Sequence, residues 1–247
     1  MGSPLVFVPV FGQLDLAKRA LRALDAHTPS DVSFLVVDDC GQDRVAEEWL
    51  DEVLQASRVW RLVVNEENLG FVRSANMAFA RRDGHDVVVV NSDVVVYAGW
   101  LGHLQAAAVK GVASVTALSN NGSIATVSDS SAYATVESLA VLAAQADIVA
   151  PPPYDIPVGV GHCIYLSDAA LSEVGGFDEA FSPGYGEEVD WSIRARRCGW
   201  RHVAAPAVIV WHDAGASFGR RRMLRRWHEL RLAVRYPREF VRLRLLR

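Results

Sequence analysis

Four polar groupings in this sequence hold residue types that can do chemistry. Asn91-Ser92-Asp93 follows the four valines Val87 to Val90, Asp38-Asp39 follows Val36-Val37, Glu187 and Glu188 are adjacent, and His212 follows Trp211. A carboxylate at the end of an apolar strand suits a hard divalent cation such as Mg²⁺ or Mn²⁺, which prefers oxygen ligands. A glutamate pair can supply a general base, which takes a proton from a reacting hydroxyl. Each grouping also has a plainer reading. Asp and Asn cap helices and make turns after any strand. Acids at a helix start are stabilised by the helix dipole, and Asp190 with Arg194, four residues on, reads as an ordinary helix ion pair.

The elements that must position these groups follow from periodicity. Residues 5–10, 32–37, 59–64 and 86–90 are short runs rich in β-branched and aliphatic residues and read as strands. Between them, Leu14, Ala17, Leu21 and Leu24, then Val45, Trp49 and Val53, then Phe71, Ala75 and Phe79, recur at helical spacing. The rhythm is βαβαβαβ, which predicts an α/β fold with a mostly parallel central sheet flanked by helices. Asp38-Asp39, Asn65 to Asn68 and Asn91-Ser92-Asp93 each end a strand, so all three share one sheet edge, where open α/β sheets bind ligands. The second half is less regular. Residues 119–134 read as a loop, Pro151-Pro152-Pro153 interrupts any regular element, and both loops are candidates for contacting substrate. A strand near 158–166, a turn through Gly175-Gly176-Phe177-Asp178, a helix from about 187 to 198 and a last strand over 203–210 follow. Trp191, Ala195 and Cys198 share the apolar face of that helix and read as core.

Length and composition set the frame. At 247 residues, 51% hydrophobic and 22% charged, the chain can bury a substantial core. Asn91-Ser92-Asp93 cuts the apolar run that begins at Val87, so no stretch is long enough to span a bilayer. The first ten residues lack a basic start and a long apolar stretch, which argues against a secretory signal. Cys40, Cys163 and Cys198 are odd in number and widely spaced, giving neither a disulfide framework nor a zinc ribbon, and a reducing cytoplasm fits best. The net charge of −4 is unevenly distributed: residues 220–247 carry eleven arginines against Glu229 and Glu239, a net +9, which leaves −13 on residues 1–219. An acidic body, with only Lys18 and Lys110 as lysines, argues against nucleic-acid binding. No Gly-x-Ser-x-Gly, P-loop or His-Glu-x-x-His motif appears, and Gly159-Val160-Gly161 lacks the third glycine and the strand context of a dinucleotide loop.

In order and spacing, the motifs resemble those of the family 2 inverting glycosyltransferases with the GT-A fold, closest to the rhamnosyltransferase-like members. The resemblance covers residues 5 to about 218. It rests on Val8-Pro9-Val10-Phe11, Val36-Val37-Asp38-Asp39, Asn68-Leu69-Gly70-Phe71 with Asn76, Asn91-Ser92-Asp93, Gly175-Gly176-Phe177-Asp178, Gly186-Glu187-Glu188-Val189-Asp190-Trp191 and Trp211-His212. It implies a GT-A domain over 1–218, with a nucleotide-binding half to about residue 97 and an acceptor-binding half from about 98. It also implies a nucleotide-diphosphate sugar as donor and a hydroxyl acceptor of unassigned class.

By the same resemblance Pro9 and Phe11 line a nucleotide pocket, Asp39 accepts from a pyrimidine N3–H, and Asn68, Asn76, Asn91 and Ser92 lie on the nucleotide side. Asp93 takes the place of the metal-binding last acid of an Asp-x-Asp motif whose first acid is here Asn91, and His212 matches a further metal or diphosphate contact. Glu188 matches the general base, with the choice between it and Glu187 open because glutamate replaces the family's aspartate. His162 and Tyr185 are acceptor-side candidates. Two rivals remain: a sugar-1-phosphate nucleotidyltransferase, which should carry a Gly-rich, arginine-containing loop after the first strand where Phe11-Gly12-Gln13-Leu14 stands, and a non-catalytic nucleotide-sugar-binding protein. For residues 219–247, a basic amphipathic helical tail, three readings compete: a final helix packed on the domain, a homodimer contact, or a peripheral contact with an anionic membrane at its inner face.

Overall fold

A computed structural model describes residues 2–40, 59–121, 124–127, 133–213 and 222–244. Strand β1 (Leu5–Val10) leads through α1 (Leu14–His27) to β2 (Ser33–Asp38), and β3 (Trp60–Val64) pairs beside it. After α2 (Phe71–Ala80), β4 (Val87–Val90) returns to the other side of β1. These four strands are mutually parallel, as the alternation of strands and helices predicts. The helix expected around Val45, Trp49 and Val53 lies outside the described residues.

The second half adds β5 (Val94–Val95), α3 (Trp100–Ala107), β6 (Val112–Ser119), α4 (Val136–Val149), β7 (Tyr154–Ile156), β8 (Cys163–Leu166), α5 (Asp168–Val174), α6 (Glu187–Arg197) and β9 (Arg201–His212). Among the described residues they complete a nine-stranded sheet in the order β3-β2-β1-β4-β8-β6-β9-β5, with β7 on β9. β8 runs antiparallel to both its neighbours, so the sheet is mixed but mostly parallel. Three sequence expectations are corrected here. The expected strand near 158–166 starts only at Cys163, the irregular second half contains α3, β6 and α4, and Cys198 is exposed. The jump in β6–β9 pairing from Ala117↔Ala205 to Leu118↔Ile209 falls at Pro206, which has no N–H to give to a ladder.

The alternation of side chains along β1 divides the core into two layers. Val6, Val8 and Val10 pack with α1 and α3 on one face. Leu5 and Phe7 pack with α2, α5 and α6 on the other. The tail forms α7 (Arg222–Arg235) and α8 (Pro237–Arg244), and Leu232 and Tyr236 are buried in the second layer, with Phe240 and Leu243 against it.

Candidate active site

Strand register builds the site's edge. Val10 pairs with Asp38, and Asp38 with Val64, so the three strands end level. Pro9 is partly buried just inside this edge, while Phe11 is exposed just beyond it. Asp38 is fully buried and Asp39 nearly so. The Asp39 carboxylate accepts from Asn65 Nδ2 at 2.8 Å, from the Leu69 N–H at 2.8 Å and from the Gly70 N–H at 2.7 Å. Three donors leave about one of its four lone-pair sites for anything else. The carboxylate thereby fixes the turn that carries exposed Asn68. At the end of that turn Gly70 has φ +79°, and a Cβ there would lie 2.5 Å from Pro183 Cβ, so only glycine admits this approach. The Phe71 N–H donates to the Pro183 carbonyl at 2.8 Å, which seats the loop before α6 against the turn.

Asn76 departs from its expected place on the nucleotide side. Its Nδ2 donates to the Phe177 carbonyl at 2.9 Å and its Oδ1 accepts from the Phe177 N–H at 2.8 Å, so the amide clamps the Gly175–Asp178 turn.

Pairing of β5 with β9 sets Val94 opposite His212, which brings Asp93 alongside the histidine. His212 Nε2 lies 3.6 Å from Asp93 Oδ1. The ring's Nδ1–H donates to the Asn121 carbonyl at 3.0 Å, which orients the ring so that Nε2 faces the carboxylate. An imidazole nitrogen and a carboxylate oxygen are donor types that divalent cations such as Mn²⁺ accept. Among the described residues no group of three or more His, Cys, Asp or Glu could hold a metal. Partly buried Asn91 and Ser92 form the turn leading to Asp93, with the Asn91 N–H donating to the His162 carbonyl at 3.0 Å.

His162 also departs from expectation, since it is buried behind His212 rather than open to an acceptor. Its ring stacks on His212 with centroids 5.4 Å apart, and its Nε2–H donates to the Ala117 carbonyl at 3.0 Å. Burial and neighbouring His212 push its pKa down to about 3, so the ring is neutral.

The glutamates open α6. Burial first, and the adjacent Glu188 second, raise the Glu187 carboxyl well above the usual carboxylate range, and the two share a hydrogen bond. Glu188 is less buried as a residue, and the Oε2 atoms of both glutamates are buried with no hydrogen-bond partner among the described residues. Glu187 therefore holds its proton more tightly than an ordinary carboxylate does. Further along α6, Ser192 Oγ accepts from the Gly159 N–H at 3.0 Å, tying the helix to the loop that ends at His162.

The tail supplies residues that motif reading missed. His228 Nδ1–H donates to the carbonyls of Gly184 (3.0 Å) and Tyr185 (2.8 Å), directly before the glutamates. Tyr185 has φ +78°, a backbone state that needs such support. Tyr236 Oη donates to Asp190 Oδ1 at 2.7 Å, while Arg194 Nε meets Asp190 Oδ2 at 2.8 Å and Arg235 Nη1 lies 3.0 Å from Oδ1. The one sequence signal for these contacts is the helical spacing of His228, Leu232 and Tyr236.

The sequence profile of glycosyl transferase family 2 matches residues 5–175. A stretch of 70 residues is 39% identical to the N-acetylglucosaminyl-diphospho-decaprenol L-rhamnosyltransferase of Mycobacterium tuberculosis, covering 28% of this chain and 22% of that protein. Among solved structures, GalNAc-T7 with UDP, GalNAc and Mn²⁺ superposes with a TM-score of 0.72 at 13% identity, over 96% of this chain and 48% of that one. The mannosyltransferase PcManGT from Pyrobaculum calidifontis, in complex with GDP-Man and Mn²⁺, gives a TM-score of 0.65 at 19% identity, over 95% and 65%. The chain thus spans only about a fifth of the length of the mycobacterial relative and half that of the first structure. These superpositions establish the GT-A fold.

Proposed function

Because the chain belongs to glycosyl transferase family 2, we propose that it moves a sugar from a nucleotide-diphosphate sugar to an acceptor hydroxyl with inversion at the anomeric carbon. Glu188 takes the acceptor's proton. The acceptor oxygen then forms a bond to the anomeric carbon from one face while the bond to the diphosphate breaks on the other, and the diphosphate leaves with the electron pair. Asp93 and His212 would hold Mg²⁺ or Mn²⁺, which supplies neutralisation of charge on the departing diphosphate when bound. Pro9, Phe11, Asn68, Asn91 and Ser92 line the donor's nucleotide, Asp39 contributes its remaining lone pair there, and Tyr185 borders the acceptor. In this reading residues up to about 97 bind the donor and those from about 98 to 218 the acceptor.

The observation that carries the reading is the pairing of Asp93 with His212 at 3.6 Å, far apart in sequence, with the ring oriented by its bond to the Asn121 carbonyl. It is supported by the glutamate pair that opens α6, in which Glu187 is the more buried and has its carboxyl raised well above the usual range, while Glu188 is the less buried. The test is incubation with a panel of UDP-, GDP- and dTDP-sugars, L-rhamnose donors included, with Mn²⁺. Slow nucleotide release without acceptor supports the transferase. Binding of a nucleotide sugar with no release under any condition favours the non-catalytic reading.

A further inference from the structure

Helix α7 presents apolar residues on two faces. His228 and Leu232 point inward, onto the Gly184–Gly186 loop and the core. On the opposite side Met223, Trp227, Leu230 and Val234 are 75%, 65%, 55% and 76% exposed. Their spacing of four, three and four residues makes a stripe about 60° wide at ~100° per residue. Arg226 borders this stripe on one side and Arg231 on the other. The helix's single acid, Glu229, lies away from the stripe and is paired with Arg225 at 3.2 Å. On α8, Val241 is exposed together with Arg238 and Arg242.

We infer that the outer face of α7 docks on an anionic lipid surface. Large apolar side chains along one stripe, with arginines on its flanks, are the composition of a helix that lies in a membrane interface. Charge selects this occupant over a second copy. Stripes paired between two copies would set arginine against arginine, with no bordering acid to answer them. An anionic headgroup layer complements both flanks at once and suits a segment of net +9 on a body of −13. None of the described helices is long and apolar enough to cross a membrane, so the contact is peripheral. Docking by the outer face leaves His228 and Leu232 in place on the inner one. The loop before Glu187 then sits about one helix diameter, ~10 Å, from the lipid plane. The docking claim stands apart from the reaction proposed above.

Flotation of the full chain with vesicles tests it. The chain should float with vesicles of phosphatidylcholine mixed with phosphatidylglycerol, stay behind with phosphatidylcholine alone, and be released as salt rises. Trp227→Ser combined with Leu230→Ser should cut the bound fraction about tenfold, and Arg226→Glu at least about fivefold. Both variants alter exposed side chains and should keep the wild-type circular dichroism and urea midpoint. The inference is overturned if the wild-type chain ignores the mixed vesicles or if the double variant floats as well as wild type. It is also overturned if light scattering finds a dimer that the double variant splits, which would assign the stripe to a second copy.

Discussion

His212 Nε2 faces Asp93 Oδ1 across 3.6 Å, and the two meet because β5 and β9 pair antiparallel where the chain leaves β4. At that distance the two atoms are too far apart for a hydrogen bond and close enough to share a cation. Asp93→Ala should abolish the Mn²⁺-dependent rise in melting temperature given by a nucleotide sugar and reduce turnover by more than about 100-fold, since even outer partners of metal ligands cost 10- to 100-fold. His212→Ala should weaken the Mn²⁺ response in the same assay. A Mn²⁺ response unchanged in Asp93→Ala would place the cation elsewhere.

The Asp39 carboxylate is the knot of the 65–70 turn. Asp39→Ala strands the Leu69 and Gly70 N–H groups and the Asn65 amide, at a cost of about 3 kcal/mol. Urea denaturation reads that cost directly. An effect on nucleotide binding alone, with the urea midpoint unchanged, would mean that Asp39 serves the ligand and not the turn.

His228 acts through the loop it holds. Removing its two bonds to Gly184 and Tyr185 should let the glutamates drift, so His228→Ala is expected to lower kcat by about tenfold or more while leaving the donor's KM near wild type. Tyr236→Phe, which leaves Asp190 its two arginines, should cost only about 1 kcal/mol of stability and little kcat.

Stability should fall on acidification through His202. The ring is buried, its Nε2–H donates to the Ser192 carbonyl and its Nδ1 accepts from Ser114, and burial lowers its pKa to about 4. A histidine depressed on folding takes its proton first in the unfolded chain. Its contribution is therefore complete above about pH 6.5 and is lost by about 1.4 kcal/mol per pH unit down to about pH 4. Glu187 has the opposite sign, because its raised pKa favours the folded state in acid and that advantage is lost as pH rises above about 4.5. Comparing urea midpoints from pH 7.5 to 4.5 in wild type and His202→Asn isolates the histidine. The variant should show the shallower decline.

What the sequence made legible was the half in which side-chain period and burial agree. β1 to β4 are dominated by valine, leucine and phenylalanine with no competing pattern, and β2, β3 and β4 each run into Asp or Asn, so their common edge follows from strand order alone. The second half hides its elements. α4 is apolar nearly all round, with Leu139 and Ala143 buried but Val141, Ile148 and Val149 exposed, so no helical face stands out. The same limit applies to side chains. Asn76 and His162 have the right types in the right order, yet each bonds to a backbone group contributed by a distant segment, and one-dimensional spacing cannot display that. His228 was hidden for a further reason, since the arginines around it make the tail read as a charged surface.

The most direct test sets the two glutamates against each other. With donor, acceptor and Mn²⁺ present, Glu188→Gln should reduce kcat by about 10²- to 10⁴-fold. Glu187→Gln should keep most activity and raise the melting temperature at pH 8, because burial and the adjacent Glu188 disfavour the charged carboxylate that it replaces. Loss of turnover in Glu187→Gln, with Glu188→Gln unimpaired, would contradict the assignment of Glu188 as the group that takes the acceptor's proton.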